Sequence, residues 1–116
     1  MIKKASEFEQ HVIPNMAGGN GNVYLGYAFN DSDIKSNVCA FCTVTLEKGG
    51  SVGMHQHTED DEIYYILSGN GLVDEGDGNK VPVTVGDAIL TGDNGYHSIA
   101  NAGDEPLVFL AVVTKY

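Results

Sequence analysis

Three histidines and one glutamate have the types and the spacing of a metal site. His55 and His57 stand two residues apart in "MHQHTEDDE", and Glu62 ends that stretch. A third histidine, His97, lies in "YHSIAN". Residues i and i+2 of a β-strand project to the same face, so the first two imidazoles would point the same way. Three imidazoles and one carboxylate suit a divalent first-row transition metal, with coordination positions left for a ligand.

The position of Glu62 depends on where the strands break. Glu62 is five residues past His57, and on one unbroken strand it would face the opposite side. The polar segment "TEDD" predicts a break, after which a new strand can begin with Glu62 turned back toward the histidines. Tyr64 would share the face of Glu62. We therefore take Glu62 and Tyr64 as candidate catalytic residues, with Tyr64 either a proton donor or an aromatic that fills the core.

The "TEDD" carboxylates themselves, Glu59, Asp60 and Asp61, are predicted to form a solvated polar turn. The alternative is that one of them is an acid that supports a metal ligand, or a carboxylate at the mouth of the pocket. His11 lies far from the other histidines in the chain and is predicted to be a surface residue or a contact of the N-terminal segment.

Short strands must position these side chains. Fifteen glycines punctuate the sequence, and runs of strand-forming residues lie between the glycine clusters. The predicted strands are 23–29, 38–46, 52–57, 62–67, 71–74, 80–85, 88–91, 96–100 and 107–114. The first dozen residues could form a turn of helix or an added strand. This pattern predicts an all-β sandwich or barrel, and only a curled sheet could bring the four candidate ligands together.

Two further features concern packing. The run "LVFLAVV" at 107–113 is apolar on both strand faces, so its outer face would pack against a partner subunit, giving a homodimer, or against the N-terminal arm. Cys39 and Cys42 form a "CAFC" segment, but residues three apart on a strand point to opposite faces. They are predicted to be free thiols and neither a disulfide nor a metal pair.

The charge of the chain limits its partners. The formal net charge is −10, and the sequence contains no arginine. Such a surface repels nucleic acid and anionic membranes. No apolar run is long enough to span a bilayer, and the N-terminus lacks the pattern of a signal peptide, so a cytoplasmic protein is expected. Without an arginine to clamp a second anion, a neutral sugar-like or monocarboxylate ligand fits better than oxalate.

The spacing of these residues resembles the two motifs of the cupin family. A glycine, an H-x-H pair, a glutamate and a second glycine follow one another as in the first motif, at Gly49, His55, His57, Glu62 and Gly69. The second motif is matched by Gly86, His97 and Asn101. Two positions depart from it, since Gly92 stands where proline is usual and Asn94 where glycine is usual. Gly92 is expected to loosen the loop before His97, and asparagine tolerates the left-handed backbone of such a turn.

The resemblance implies a double-stranded β-helix, the jelly-roll β-barrel of cupins, with an N-terminal arm at 1–22 and a barrel at 23–116. It also implies a metal ion, manganese, iron, nickel, cobalt or zinc, and a small-molecule ligand in the barrel lumen. The implied metal ligands are His55, His57, Glu62 and His97. The chain looks most like the small single-domain cupins described as oxalate-decarboxylase-like or phosphomannose-isomerase-like.

Family resemblance alone leaves the activity open, because one fold hosts many reactions. The first hypothesis is a metal-dependent lyase or decarboxylase, isomerase or dioxygenase acting on a small oxygen-rich metabolite. The second is a protein that binds or senses such a molecule without turnover. The third is a structural barrel whose site has no remaining function.

Overall fold

The computed structural model describes residues 1–116 and contains ten strands and two three-residue 3-10 segments. The 3-10 segments are Ala5–Glu7 and Met16–Gly18. The strands are β1 Glu9–Pro14, β2 Asn22–Phe29, β3 Val38–Leu46, β4 Ser51–Gln56, β5 Asp60–Ser68, β6 Asn70–Asp74, β7 Lys80–Thr84, β8 Ala88–Thr91, β9 Tyr96–Asn101 and β10 Leu107–Lys115. All nine predicted strands are confirmed to within two residues at each end. No helix is long and apolar enough to cross a bilayer.

The strands form two sheets that enclose the core. The large sheet has the order β1-β2-β3-β10-β5-β8, and the small sheet has the order β4-β9-β6-β7. All pairings are antiparallel. The chain passes repeatedly from one sheet to the other, which is the arrangement of a double-stranded β-helix. The predicted fold class is confirmed.

The first strand joins the barrel at the edge of the large sheet. Residues 9–14 pair with 22–27 of β2 along the whole length of β1. Both alternatives for the N-terminus therefore occur, a short 3-10 turn and then an added strand. The division into an arm at 1–22 and a barrel at 23–116 stays a prediction.

The core lies between the sheets and follows the expected alternation. On β5, Tyr64 and Ile66 are buried, whereas Ile63, Tyr65 and Leu67 are exposed on the outer face. The fully buried side chains of the core are Phe109, Leu46, Ile66, Ile99, Leu107, His97 and Val23. A histidine in this set is unusual, because a polar side chain is buried at a cost unless it is hydrogen-bonded or bound.

Strand β10 has its apolar residues on both faces, as its sequence indicated. Leu107, Phe109 and Ala111 point into the core, and the side chains between them remain partly exposed on the outer face of the large sheet. β10 lies between β3 and β5 in the middle of that sheet. The two cysteines are free thiols, as predicted, with Cys42 buried and Cys39 only partly so.

Candidate metal centre

Four side chains converge in the space between the two sheets. His55 Nε2 lies 2.8 Å from His97 Nε2, and His57 Nε2 lies 3.0 Å from His97 Nε2. Glu62 Oε1 is 3.0 Å from His57 Nε2 and 3.1 Å from His97 Nε2. One ligand atom from each of the four residues lies within 4.8 Å of all the others. The structure thus brings together all four residues that the sequence analysis singled out.

The two sheets contribute different parts of the cluster. His55 lies on β4 and His97 on β9, and these two residues face each other across the ladder of the small sheet. His57 follows the end of β4, and Glu62 approaches from β5 of the large sheet. The break between β4 and β5, where Glu59 has a φ of 61°, turns Glu62 toward the histidines. The predicted interruption at "TEDD" accounts for this orientation.

A β-bulge in β4 aims His55 inward. Val52 pairs with Ile99 and His55 pairs with His97, so β4 carries one residue more than β9 over this interval. Without the extra residue, strict alternation would send Val52 and His55 to opposite faces. With it, both side chains lie on the inner side of the small sheet.

The remaining ring nitrogens of the three histidines are each engaged. His55 Nδ1 lies 2.8 Å from the Gly53 carbonyl oxygen, and His57 Nδ1 lies 2.9 Å from Asp60 Oδ1. Because a carbonyl and a carboxylate only accept hydrogen bonds, both Nδ1 atoms must carry the proton. In the neutral imidazoles, the Nε2 lone pairs therefore point into the cluster. The third Nδ1, of His97, is 2.9 Å from Thr91 Oγ1.

The pKa values reflect one carboxylate among three imidazoles. Burial pushes the pKa of Glu62 upward, but the surrounding imidazoles, His55 and His97 foremost, lower it to about 2. The Glu62 carboxylate in turn raises the pKa of His55. Their 3.9 Å separation makes that interaction electrostatic rather than a hydrogen bond. Burial lowers the pKa of His97, whose side chain is 1% exposed.

This donor set fits a metal ion. Unprotonated nitrogens and an ionised carboxylate within about 3 Å of each other repel unless a cation lies among them. Metal bonds of about 2.1 Å meeting at a right angle separate two ligand atoms by about 3.0 Å, close to the distances seen here. The four residues could therefore hold a divalent transition metal.

The cluster opens into a cavity of about 260 Å³. Most of its lining is apolar, with Leu25, Val44, Val52 and Ala111 among the contributors. No lysine lines it, and the chain has no arginine. Apart from a protonated imidazole, positive charge offered to a ligand in this cavity would come from a bound metal.

Tyr64 lies beside the cluster as a buried aromatic. Its ring stacks on the His97 imidazole with centroids 4.8 Å apart and packs against Phe109 at 4.4 Å. Burial, followed by the nearby charge of Glu62, raises the pKa of Tyr64 well above its ordinary value. The hydroxyl therefore stays protonated. Tyr64 both fills the core and lines the cavity.

Two further residues hold the ligand rings: Asp60, which sequence reasoning considered only as the less favoured alternative, and Thr91, which it missed. Asp60 belongs to the segment predicted to be a solvated turn, yet its carboxylate contacts His57 Nδ1. The spacing of three residues between them was the available signal. Thr91 is buried at the end of β8 and contacts His97 Nδ1, and no local pattern marks it. Partners of this kind orient the ligand rings and increase their basicity.

The two departures from the motif have different structural consequences. Asn94 has a φ of 65°, the left-handed backbone that asparagine was expected to tolerate. A side chain at residue 92 would overlap Asp61 Oδ1, so glycine there makes room for that carboxylate. The loop is also held in place, because Gln56 Nε2 donates to the Asn94 carbonyl at 2.9 Å. The expected loosening of this loop by Gly92 is not evident in these contacts.

Comparison with known proteins identifies similar chains. A family model described as a cupin domain matches residues 42–113. An oxalate-binding protein of Thermotoga maritima is 37% identical over 113 residues, covering 97% of this chain and 93% of the relative. The crystal structure of a predicted oxalate decarboxylase from Thermotoga maritima matches with a TM-score of 0.94 at 36% identity, over 100% of both chains.

A glucose-6-phosphate isomerase of Thermococcus onnurineus is also similar. It is 33% identical over 103 residues, covering 78% of this chain and 53% of the enzyme. The chain thus spans about half the length of that relative.

Proposed function

Because the chain belongs to the cupin family, we propose that it is a metal-centred protein that binds a small carboxylate between its sheets. The proposed metal ligands are His55, His57, Glu62 and His97. When bound, such an ion supplies the positive charge that attracts and polarises carboxylate oxygens. Imidazole and carboxylate ligands suit manganese, iron, cobalt, nickel or zinc, and metal supply decides among them.

The observation that carries this proposal is that the histidine Nε2 atoms and the Glu62 carboxylate lie close together with no lysine or arginine among them. His55 and His57 each donate through Nδ1 to a protein acceptor, which leaves their Nε2 atoms facing the ionised Glu62. A purely structural histidine cluster would turn ring N–H groups toward the carboxylate. The Nδ1 contacts instead support a cation at the centre.

The carboxylate class is supported by the oxalate-binding protein among the relatives. The missing arginine favours a neutral or singly charged ligand on sequence grounds, and that relative extends the proposal to oxalate. The apolar cavity accommodates a small anion whose charge is balanced at the metal. It offers no lysine or arginine for a phosphate group, so phosphorylated ligands fit less well.

Metal analysis tests the first half of the proposal. We expect protein purified without an affinity-tag histidine to bind about one divalent metal per chain after reconstitution. His55→Ala and His97→Ala should each lose it. His11→Ala is the matched control, because this histidine pairs with Glu9 outside the cluster, and it should keep the metal. A wild-type protein that binds no metal after reconstitution would refute the proposal.

Calorimetry tests the second half. Titration of oxalate into the metal-loaded protein should give saturable binding, and the metal-free protein should show none. Metal binding without oxalate binding would support the metal site and refute a carboxylate as its ligand.

A catalytic role is the alternative, favoured by Tyr64 and Glu62 on the cavity wall. Both were proposed as catalytic residues, and the glucose-6-phosphate isomerase relative adds a sugar substrate to the possibilities. The raised pKa of Tyr64 suits a group that holds its proton and donates a hydrogen bond. Incubating the loaded protein with oxalate and with unphosphorylated and phosphorylated sugars, and analysing the products, separates an enzyme from a binding protein.

We also propose that the protein forms a homodimer through the outer face of the large sheet. Ile63, Tyr65 and Leu67 are 42–44% exposed there, and Leu90 on the neighbouring strand is 65% exposed. Contiguous apolar surface of this kind marks an interaction site.

A further inference from the structure

Three polar side chains other than the metal-site residues line the cavity: Tyr27, Cys42 and Tyr64. All three hold their protons at neutral pH. Burial raises the pKa of the Cys42 thiol to about 11, and burial likewise raises the pKa of both phenols. The wall of the cavity therefore offers neutral hydrogen-bond donors and no cation.

These donors differ in their availability to a ligand. Tyr64 is buried and packed between His97 and Phe109. Cys42 offers only a thiol, which is a weak donor. Tyr27 is half-buried, whereas Tyr64 is only 4% exposed, and Tyr27 lines both this cavity and the neighbouring groove. Tyr27 is therefore the donor most accessible to a ligand.

Strand pairing places Tyr27 at the mouth of the cavity. Tyr27 on β2 is paired with Cys42 on β3, and both side chains line the cavity together with Glu62 and two of the histidines. Tyr27 also lines a shallow groove of about 280 Å³ on the outside, together with Glu9 and His11. It therefore forms the boundary between the cavity and solvent.

Strand β1 supports this side chain from outside. Glu9 pairs directly with Tyr27 across the β1–β2 ladder. The His11 ring meets the phenol edge-on, with centroids 5.4 Å apart and an interplanar angle of 86°. His11 Nε2 is in turn hydrogen-bonded to Glu9 Oε1 at 3.0 Å. These contacts restrict the ring and so lower the cost of orienting it on a ligand.

We propose that Tyr27 determines ligand specificity by donating a hydrogen bond to an oxygen of the bound carboxylate that does not contact the metal. This inference rests on the proposed function and deepens it. The site then favours anions that carry such an outward oxygen, as oxalate does, over small anions that lack one. Because the donor is neutral, it selects for an acceptor atom without adding charge to the site.

Anion titrations of cobalt-loaded protein test the inference. Oxalate and fluoride are the two probes, because fluoride binds a metal ion but has no outward oxygen. Tyr27→Phe should weaken oxalate binding by about 10- to 100-fold, the effect of one hydrogen bond to a charged group. Fluoride affinity and cobalt content should stay unchanged. Tyr24→Phe is the matched control, since Tyr24 lies on the same strand but points to the opposite face.

The outcomes are distinct from those that test the metal centre. Oxalate binding by Tyr27→Phe as tight as in the wild type would overturn the inference and leave the proposed function intact. An equal loss for oxalate and fluoride would overturn it as well, since Tyr27 would then act on the metal centre. A wild-type protein that binds cobalt but not oxalate would reject the carboxylate ligand and the inference together.

Discussion

At the scale of single residues, the contacts of the outer ring nitrogens would decide how well the four side chains hold a metal ion. A histidine ligand needs one nitrogen free of its proton and a partner that holds the other proton in place. Gly53 O and Asp60 Oδ1 accept such a proton from His55 and His57, and Thr91 Oγ1 is the hydrogen-bond partner of the His97 Nδ1 atom. Asp60 is the charged one, so its loss should have the clearest effect.

We expect Asp60→Ala to weaken metal binding by about 10- to 100-fold without removing any ligand. The His57 ring would lose the carboxylate that fixes its proton on Nδ1 and increases the basicity of Nε2. Competition against a chelator of known affinity measures the change. Glu59→Ala is the control. This substitution also removes one negative charge, but Glu59 is exposed and its side chain does not contact a metal-site histidine. Equal affinities in the two variants would contradict the assigned role of Asp60.

The pKa shifts predict how metal binding depends on pH. The pKa of His55 is raised above 6.5, so at lower pH a proton competes with the metal for Nε2. Glu62, with a pKa of about 2, does not compete in the neutral range. In the metal-free protein, protonation of His55 has the opposite effect, because there it stabilises the fold. The raised pKa of His55 contributes stability below 6.5 that is lost as the pH rises through its folded-state value.

The gain in Tm on adding metal should therefore grow between about pH 5.5 and about pH 8. Thermal unfolding of paired samples with and without metal measures this difference at each pH. A gain that is constant over this range, or that shrinks as the pH rises, would show that protons do not compete at His55.

The four candidate ligands could be identified from the sequence, whereas Asp60 was only one of three carboxylates with a possible supporting role and Thr91 was not identified at all. His55, His57, Glu62 and His97 follow from strand periodicity and motif spacing. Asp60 and Thr91 depend on how two loops close against the histidines, which is set by tertiary contacts rather than by local pattern.

At the scale of elements, the bulge in β4 connects the fold to the site. Gly53 lies within the bulge, and its carbonyl accepts the hydrogen bond from His55 Nδ1. A Cβ on Gly53 would overlap the backbone oxygen of Ala17, in the 3-10 segment packed against β4. Because the atoms that such a Cβ would meet belong to the backbone of Ala17 and Gly19, no side-chain rotation can relieve the overlap.

We expect Gly53→Ala to destabilise the protein by about 1–3 kcal/mol, the usual cost of overpacking, and to weaken metal binding. The two effects are linked, because moving β4 away from Ala17 also moves the acceptor of His55. Chemical denaturation and metal competition measure them separately. Gly103→Ala is the control, since a Cβ there makes only ordinary contacts at 3.7 Å and beyond. Unchanged stability in Gly53→Ala would mean that the segment moves freely.

The bulge also marks where sequence reasoning ends at this scale. Strand limits could be predicted because glycine clusters separate runs of strand-forming residues, and the observed limits agree to within two residues. The only local signal of the extra residue in β4 is the isolated glycine at position 53, which does not say how the strand pairs. Whether Val52 and His55 share a face is decided by the pairing partner β9, which lies 40 residues or more along the chain.

At the scale of the whole molecule, the outer face of the large sheet stands out in a strongly acidic protein. Two copies, each with a net charge of −10, repel unless they meet through a patch without charges. Ile63, Tyr65 and Leu67 of β5, with Leu90 of β8, form such a patch beside the outer side of β10. The two-faced apolar pattern of "LVFLAVV" predicted an apolar outer face for β10 alone, and the residues of β5 and β8 extend that face.

Sedimentation equilibrium should therefore give the wild-type protein a mass of twice the 12.3 kDa of one chain. Tyr65→Glu should reduce the measured mass to that of the monomer. A buried charge without a partner costs several kcal/mol at an interface, enough to dissociate a dimer of ordinary affinity. Tyr96→Glu is the matched control, because Tyr96 is 46% exposed against 44% for Tyr65 but lies on the small sheet. It should remain dimeric. A monomeric wild type would refute the dimer. Dissociation by both variants alike would show that the dimer contact is not specific to the outer face of the large sheet.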